Sequence, residues 1–152
     1  MNDHTNYMEL ALVEAKKGGQ KDEVPVGAVV VDANGGIVAA AHNRVVSLAD
    51  VSAHAEILAL RAACAAVGNY RLPGFTLYVT IEPCPMCMGA VIHARVARLV
   101  FGAFDPKWGA AGSLYDFAAD ERFNHKPQIV AGVCEEACRQ LMQAFFRSRR
   151  IR

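Results

Sequence analysis

His54-Ala55-Glu56 and, after 26 intervening residues, Pro83-Cys84-Pro85-Met86-Cys87 constrain this chain more than any other feature. Together they offer one imidazole and two thiolates, with a carboxylate beside them that need not be a ligand. Metal ligands drawn from two distant segments force those segments to converge. Ser52 is expected to cap a helix that starts at Ala53, its hydroxyl accepting an N–H of the first turn, which puts His54 and Glu56 near the start. Pro83 and Pro85 bracket Cys84, and proline suits the first helical position. Cys84 and Cys87 then stand three apart at a second helix start, with their sulfurs on one face. Two helix N-termini would meet at one point, where their dipoles favour thiolates and a bound hydroxide.

Three protein ligands leave a fourth tetrahedral position on zinc open to water, which separates a catalytic site from a closed structural one. Two plainer readings compete. A lone Cys-x-x-Cys can be a redox pair, but that motif follows the first strands of a βαβ pattern and has no use for an upstream His-x-Glu. A structural zinc site would want a fourth Cys or His at ligand spacing, and none stands near either half. The expectation is one zinc ion per chain on His54, Cys84 and Cys87. Zinc lowers the pKa of a bound water to roughly 7, giving hydroxide at neutral pH. Glu56 has the chemistry to take that proton and return it to a ring nitrogen, then to a departing amine. Alone, Glu56 would read as a solvated carboxylate at a helix start; between His54 and the cysteines it reads as the catalytic group.

The 152 residues fit a single domain, 1–152, with 53% hydrophobic and 20% charged residues. A net charge of +1 gives no global pull toward nucleic acid or acidic membranes, so such affinity must come from a local patch. No apolar run reaches membrane-spanning length, and Met1 to Thr5 is polar without a signal-peptide core. Five cysteines, two of them assigned to metal, make no disulfide framework and fit a reducing cytoplasm. Cys64, Cys134 and Cys138 read as small buried apolar residues. His4, His42, His93 and His125 have no metal spacing.

Along the chain, strands and helices alternate. Met8, Ala11, Leu12 and Ala15 form a helical stripe ending at Gly18-Gly19. Val24 to Val31 is a β-rich run that Asn34-Gly35-Gly36 turns back into Ile37 to Ala41 as a hairpin. The helix carrying His54 runs to about Val67, where Gly68-Asn69 stops it. Phe75 to Ile81, Ala97 to Phe101 and Gln128 to Val133 are further strands, and a terminal helix from Glu135 turns Leu141, Met142, Phe145 and Phe146 inward. About 25 residues separate the fourth and fifth strands, enough for a helical crossover and a parallel pair. The expected fold is α/β: three layers, α/β/α, around a five-stranded mixed sheet whose last two strands are parallel. The metal would sit beside the carboxyl end of the third strand, a usual ligand location in open α/β sheets.

The two zinc motifs together resemble the signature of zinc nucleobase deaminases. Further blocks narrow the likeness: Glu23-Val24-Pro25-Val26-Gly27-Ala28-Val29, His42-Asn43-Arg44, Asn69-Tyr70-Arg71-Leu72, Gly109-Ala110-Ala111-Gly112-Ser113 and Phe145-Phe146-Arg147. Over nearly its whole length the chain resembles the bacterial tRNA-specific adenosine deaminases, which have a cytidine-deaminase-like fold. The resemblance implies that Asn43 hydrogen-bonds a flipped purine while Val26 and Ile81 contact its ring, with His54 against one face. It also implies substrate contacts from Ala103, Asp105 and Lys107, Asp105 meeting the sugar of a neighbouring nucleotide. From the residues alone, Asn43 could equally be an ordinary loop residue, and Asp105 a turn former before Pro106.

Four positions depart from the family pattern: Val45, Val51, Phe104 and Trp108, all in loops that would shape the pocket mouth. Trp108 reads either as a stacking platform for an unstacked base or as a packed loop anchor. Arg147, Arg149, Arg150 and Arg152 crowd the last six residues. By themselves they fit a solvated helix end favoured by its dipole; the resemblance makes Arg147, Arg149 and Arg150 contacts to a tRNA backbone. It implies hydrolytic deamination of adenosine to inosine at the wobble position of a tRNA anticodon, by a homodimer. The competing enzyme is a free-base or nucleoside deaminase acting on guanine or cytosine. A catalytically dead zinc subunit is the non-enzymatic alternative, against which Glu56 argues.

Overall fold

Two of the expected strands are buried at every position, which a strand can be only when both faces of its sheet are covered. The computed structural model describes residues 3–151. In chain order the elements are α1 (Asp3–Gln20), β1 (Gly27–Val31), β2 (Ile37–His42), α2 (Val45–Leu48), α3 (Ala55–Val67), β3 (Thr76–Ile81), α4 (Pro85–His93), β4 (Arg98–Ala103), β5 (Gln128–Val130) and α5 (Glu135–Ile151). The sheet order is β2-β1-β3-β4-β5. β1 pairs antiparallel with both β2 and β3, whereas β3–β4 and β4–β5 are parallel. The mixed sheet with its last two strands parallel is as expected.

Successive strand residues point to opposite faces, and here each face has its own core. Ala28, Val30, Leu77, Val79, Leu99 and Phe101 pack against Ala55, Ala59, Leu60 and Ala63 of α3 and Met88 and Val91 of α4. On the other face Val29, Val31, Tyr78 and Val100 meet Met8, Ala11 and Leu12 of α1 and Cys138 of α5. The result is three layers, α/β/α. Gly27 is needed where α1 crosses β1, because a Cβ there would collide with the Ala11 carbonyl oxygen. Among the described residues no helix is long and apolar enough to cross a membrane.

Several expectations needed correction. Ser52 does not cap the helix; its hydroxyl bonds Asp50 Oδ1 at 2.7 Å, and His54 occupies the cap position ahead of α3. The first strand starts three residues later than Val24, since Pro25 has no N–H to pair and the Val26 N–H turns back to the Val24 carbonyl at 2.8 Å. The link between β4 and β5 holds no crossover helix, only a 3-10 turn at Phe117–Ala119. In α5, Leu141 and Met142 pack inward, but Phe146 is 43% exposed. Cys138, Leu141, Met142 and Phe145 stand at i, i+3, i+4 and i+7 on one helical stripe, and Phe146 falls beyond its edge.

Candidate active site

β3 delivers the chain to the site. Its last residue, Ile81, is followed by Glu82 and Pro83, and Cys84 then caps α4 with Pro85 at the first helical position. Cys87 is one turn along and fully buried. α3 arrives from the other side with His54 in its cap position and Glu56 in its first turn. Neither cap residue spends its side chain on the helix. His54 Nδ1 lies 3.7 Å from Cys84 Sγ and 3.4 Å from Cys87 Sγ, and all three donor atoms fall within 4.8 Å of one another.

That donor set fits zinc. With Zn–S near 2.3 Å and Zn–N near 2.05 Å, a tetrahedral ion separates sulfur from nitrogen by roughly 3.6 Å, and the two observed gaps straddle that value. The two thiols share a hydrogen bond. Cys84 is held down to about 4, first by its hydrogen bond with Cys87, while Cys87 is pushed well up by the same bond and by burial. Metal binding would release that shared proton. Glu56 is only 4% exposed, and burial pushes its carboxyl up to about 7, so that it can both accept and donate a proton near neutral pH.

The residues expected around a purine also converge. Asn43 is buried at the end of β2, and its N–H donates to the Val26 carbonyl at 3.0 Å. The register pairing Ala28 with Val79 carries Val26 alongside Ile81. The Arg44 N–H donates to the Ala53 carbonyl, tying the Asn43 segment to the entry of α3. Ile81 pairs with Ala103, and both are buried. Asp105 Oδ1 accepts from the N–H groups of Lys107 and Trp108 at 3.1 and 3.2 Å, a turn-forming role. Lys107 and Trp108 are exposed, Trp108 at 64%.

The arginine cluster is not part of this convergence. α5 lies on the sheet face opposite α3 and α4. Arg147 is exposed, but Arg149 stacks on Phe145 at 4.4 Å and bonds Asp22 at 2.8 Å. Arg149 thus anchors the terminal helix to the α1–β1 loop and is not a free cation. The side chain of Arg150, and Arg152 altogether, lie outside the described residues.

Two buried glutamates were missed. Glu23 accepts from the Val46 and Ser47 N–H groups at 3.1 and 2.7 Å and so fastens α2 beside Asn43. Burial alone would raise its carboxyl, but those bonds win and hold it below the usual range. Glu82 gathers the loop after β4. For Glu82 the available signal was a carboxylate directly continuing the β-rich run Thr76 to Ile81, where a solvated group is out of place.

A three-donor metal group and a buried carboxylate, brought together by two helix N-termini at a mixed sheet, define a zinc-type deaminase site. Residues 1–103 match the family described as the cytidine and deoxycytidylate deaminase zinc-binding region. The chain is 54% identical over 144 residues to a tRNA-specific adenosine deaminase of Bacillus subtilis, covering 95% of this chain and 89% of that protein. It is 47% identical over 151 residues to that of Agrobacterium fabrum, covering 99% of each. The chain belongs to the tRNA-specific adenosine deaminase family. A solved structure from a study of A-to-I editing by tRNA:A34 deaminases at the wobble position superposes with a TM-score of 0.87 at 48% identity, covering 90% of this chain and 99% of that one. A guanine deaminase from Nitrosomonas europaea superposes with a TM-score of 0.79 at 29% identity, over 93% and 83% of the respective chains.

Proposed function

We propose that this chain hydrolyses adenosine to inosine at the wobble position of a tRNA anticodon. The deamination chemistry is carried by one observation: Glu56, buried in the first turn of α3, adjoins a His54–Cys84–Cys87 group of zinc dimensions. The substrate rests on the full-length likeness to tRNA-specific adenosine deaminases. His54 Nδ1 and the sulfurs of Cys84 and Cys87 would hold one zinc ion per chain, which when bound would supply Lewis acidity toward water. Glu56 takes one proton from the attacking water and delivers it to a ring nitrogen, then takes the remaining hydroxyl proton of the addition product and delivers it to the departing amine. The amino-bearing carbon gains oxygen and ammonia leaves. Asn43 offers a donor and an acceptor to the purine edge, Val26 and Ile81 flank its ring, and Ala103 closes the floor. Asp105 reads a neighbouring 2′-hydroxyl through Oδ2, which has no hydrogen bond among the described residues, and Lys107 adds a cation for phosphate.

The test is inosine formation in zinc-loaded protein given an anticodon hairpin with A at the wobble position. An inert hairpin, with rapid ammonia release from a free base, would favour the guanine deaminase reading that the structural likeness also supports.

We further propose a homodimer. The outer side of α3 and α4 carries a largely apolar cleft of about 330 Å³ lined by Ile57, Leu60, Ala90 and Ala94 beside exposed Tyr70, which a second copy would cover. Sedimentation at the mass of one chain would rule this out. A tRNA substrate supports a cytoplasmic enzyme, as do five cysteines that form no disulfide among the described residues.

Among the described residues, Arg147 is the exposed cation of the terminal cluster that can meet an RNA backbone. Arg147→Gln is expected to weaken hairpin binding and reduce the log–log salt slope by about 0.7–0.9, as for one lost phosphate contact. Binding titrations across salt concentrations check this, and an unchanged slope makes Arg147 a solvated helix end.

A further inference from the structure

Glu82 is 3% exposed and forms no ion pair among the described residues. A buried carboxylate without a cation is costly unless hydrogen bonds replace its water. One segment supplies all of them. The Asp105 N–H donates to Oε1 at 3.0 Å, and the Ala111 and Ser113 N–H groups donate to Oε2 at 3.0 Å. The Ser113 hydroxyl completes the set on Oε1.

The backbone fits around this group. A Cβ at Gly109 would collide with the carboxylate carbon and both its oxygens, so only glycine lets the loop close over Glu82. The Ala110 N–H donates to the Pro83 carbonyl at 2.8 Å, and the Gly109 N–H donates to the Asp105 carbonyl at 2.8 Å. The 105–113 loop, bearing Asp105, Lys107 and Trp108, is therefore wound around a side chain two residues before Cys84.

We infer that Glu82 is a positioning residue that sets where the 105–113 loop stands relative to the metal group, and through it where a neighbouring nucleotide is held. This rests on the reading of the chain as an RNA-acting deaminase. Glu82 touches no reacting atom. Its carboxylate fixes the loop backbone, and Asp105 Oδ1 then fixes the N–H groups of Lys107 and Trp108. The flanking nucleotide meets a preformed surface, and the binding energy gained there aligns the adenine.

The test compares wild-type zinc-loaded protein with Glu82→Gln, which keeps the size but turns an NH₂ toward N–H donors, and with Gly109→Ala, which pushes the same loop off an intact carboxylate. Amide hydrogen exchange at Asp105, Ala111 and Ser113 should speed up at least about tenfold in both variants while the sheet amides stay protected. kcat/KM for the anticodon hairpin should fall about 10- to 100-fold, the scale of an ångström-sized misplacement, through both a higher KM and a lower kcat, with zinc content unaltered. The double variant should be no worse than the worse single one, because both act on one contact. If Glu82→Gln does not fold, Gly109→Ala carries the same readings. Unchanged exchange and kcat/KM would overturn the inference, as would loss of kcat and zinc with KM unchanged. A wild-type protein inert toward the hairpin would overturn the RNA reading itself and, with it, the nucleotide role; loop exchange would then still judge the clamp.

Discussion

Glu56→Gln is expected to lower turnover by about 10²- to 10⁴-fold, the contribution of a positioned general acid–base group, while fold and zinc content are retained. The amide cannot take a proton from water or pass one to the ring and the amine. Stability should not fall, because Glu56 is almost fully buried and a neutral amide is less costly there than a carboxylate. Single-turnover deamination, with zinc measured by elemental analysis on the same sample, separates the two effects. Wild-type turnover in the variant would make Glu56 a structural residue.

Cys87→Ser should lose zinc. Cys87 is fully buried, so the replacement hydroxyl has no water to substitute for the sulfur, and alcohol oxygen is a weak zinc ligand. Changes outside the ligand sphere already cost about 10- to 100-fold in metal affinity, so a ligand loss should exceed that. Turnover should vanish with the metal. Thermal unfolding should also move to lower temperature, since zinc that binds only the folded chain stabilises it. Dialysis against a chelator followed by elemental analysis checks this. Full metal retention in both Cys84→Ala and Cys87→Ala would contradict the ligand assignment.

What could be read from the sequence followed short-range physics. The burial pattern of β1 and β3, the turn at Asn34-Gly35-Gly36 and the stop of α3 at Gly68 each depend on neighbours in the chain. Gly68 adopts φ 71° and donates its N–H to the Cys64 carbonyl, as a helix-ending glycine should. His54, Cys84 and Cys87 converge because two helices start there, and each start has its own local mark. The features that were missed depend on partners far away in sequence. α2 has four residues and no side-chain cap of its own; it stands because Glu23 receives its N–H groups from across the site. The stretch after β4 looked long enough for a helix, yet Glu82 collects its N–H donors into a loop instead. Ser52 had two kinds of partner within reach, the N–H donors of the helix start and the Asp50 carboxylate, and both its hydroxyl and its N–H donate to Asp50. Arg149 also holds Asp22, a partner that nothing near it in sequence announces.

The measurement that bears most directly on this account sets kcat/KM for a tRNA anticodon hairpin with A at the wobble position against those for free adenosine, guanine and cytosine. Anticodon-loop bases are already splayed, so presenting the adenine costs little, and contacts to Asp105, Lys107 and Trp108 can be spent on alignment. The hairpin should be deaminated efficiently and free adenosine poorly, with guanine and cytosine inert. A deoxyribose hairpin should react more slowly, through loss of the 2′-hydroxyl that Asp105 accepts from. Rapid ammonia release from guanine or cytosine beside an inert hairpin would contradict the account and make the chain a free-base deaminase.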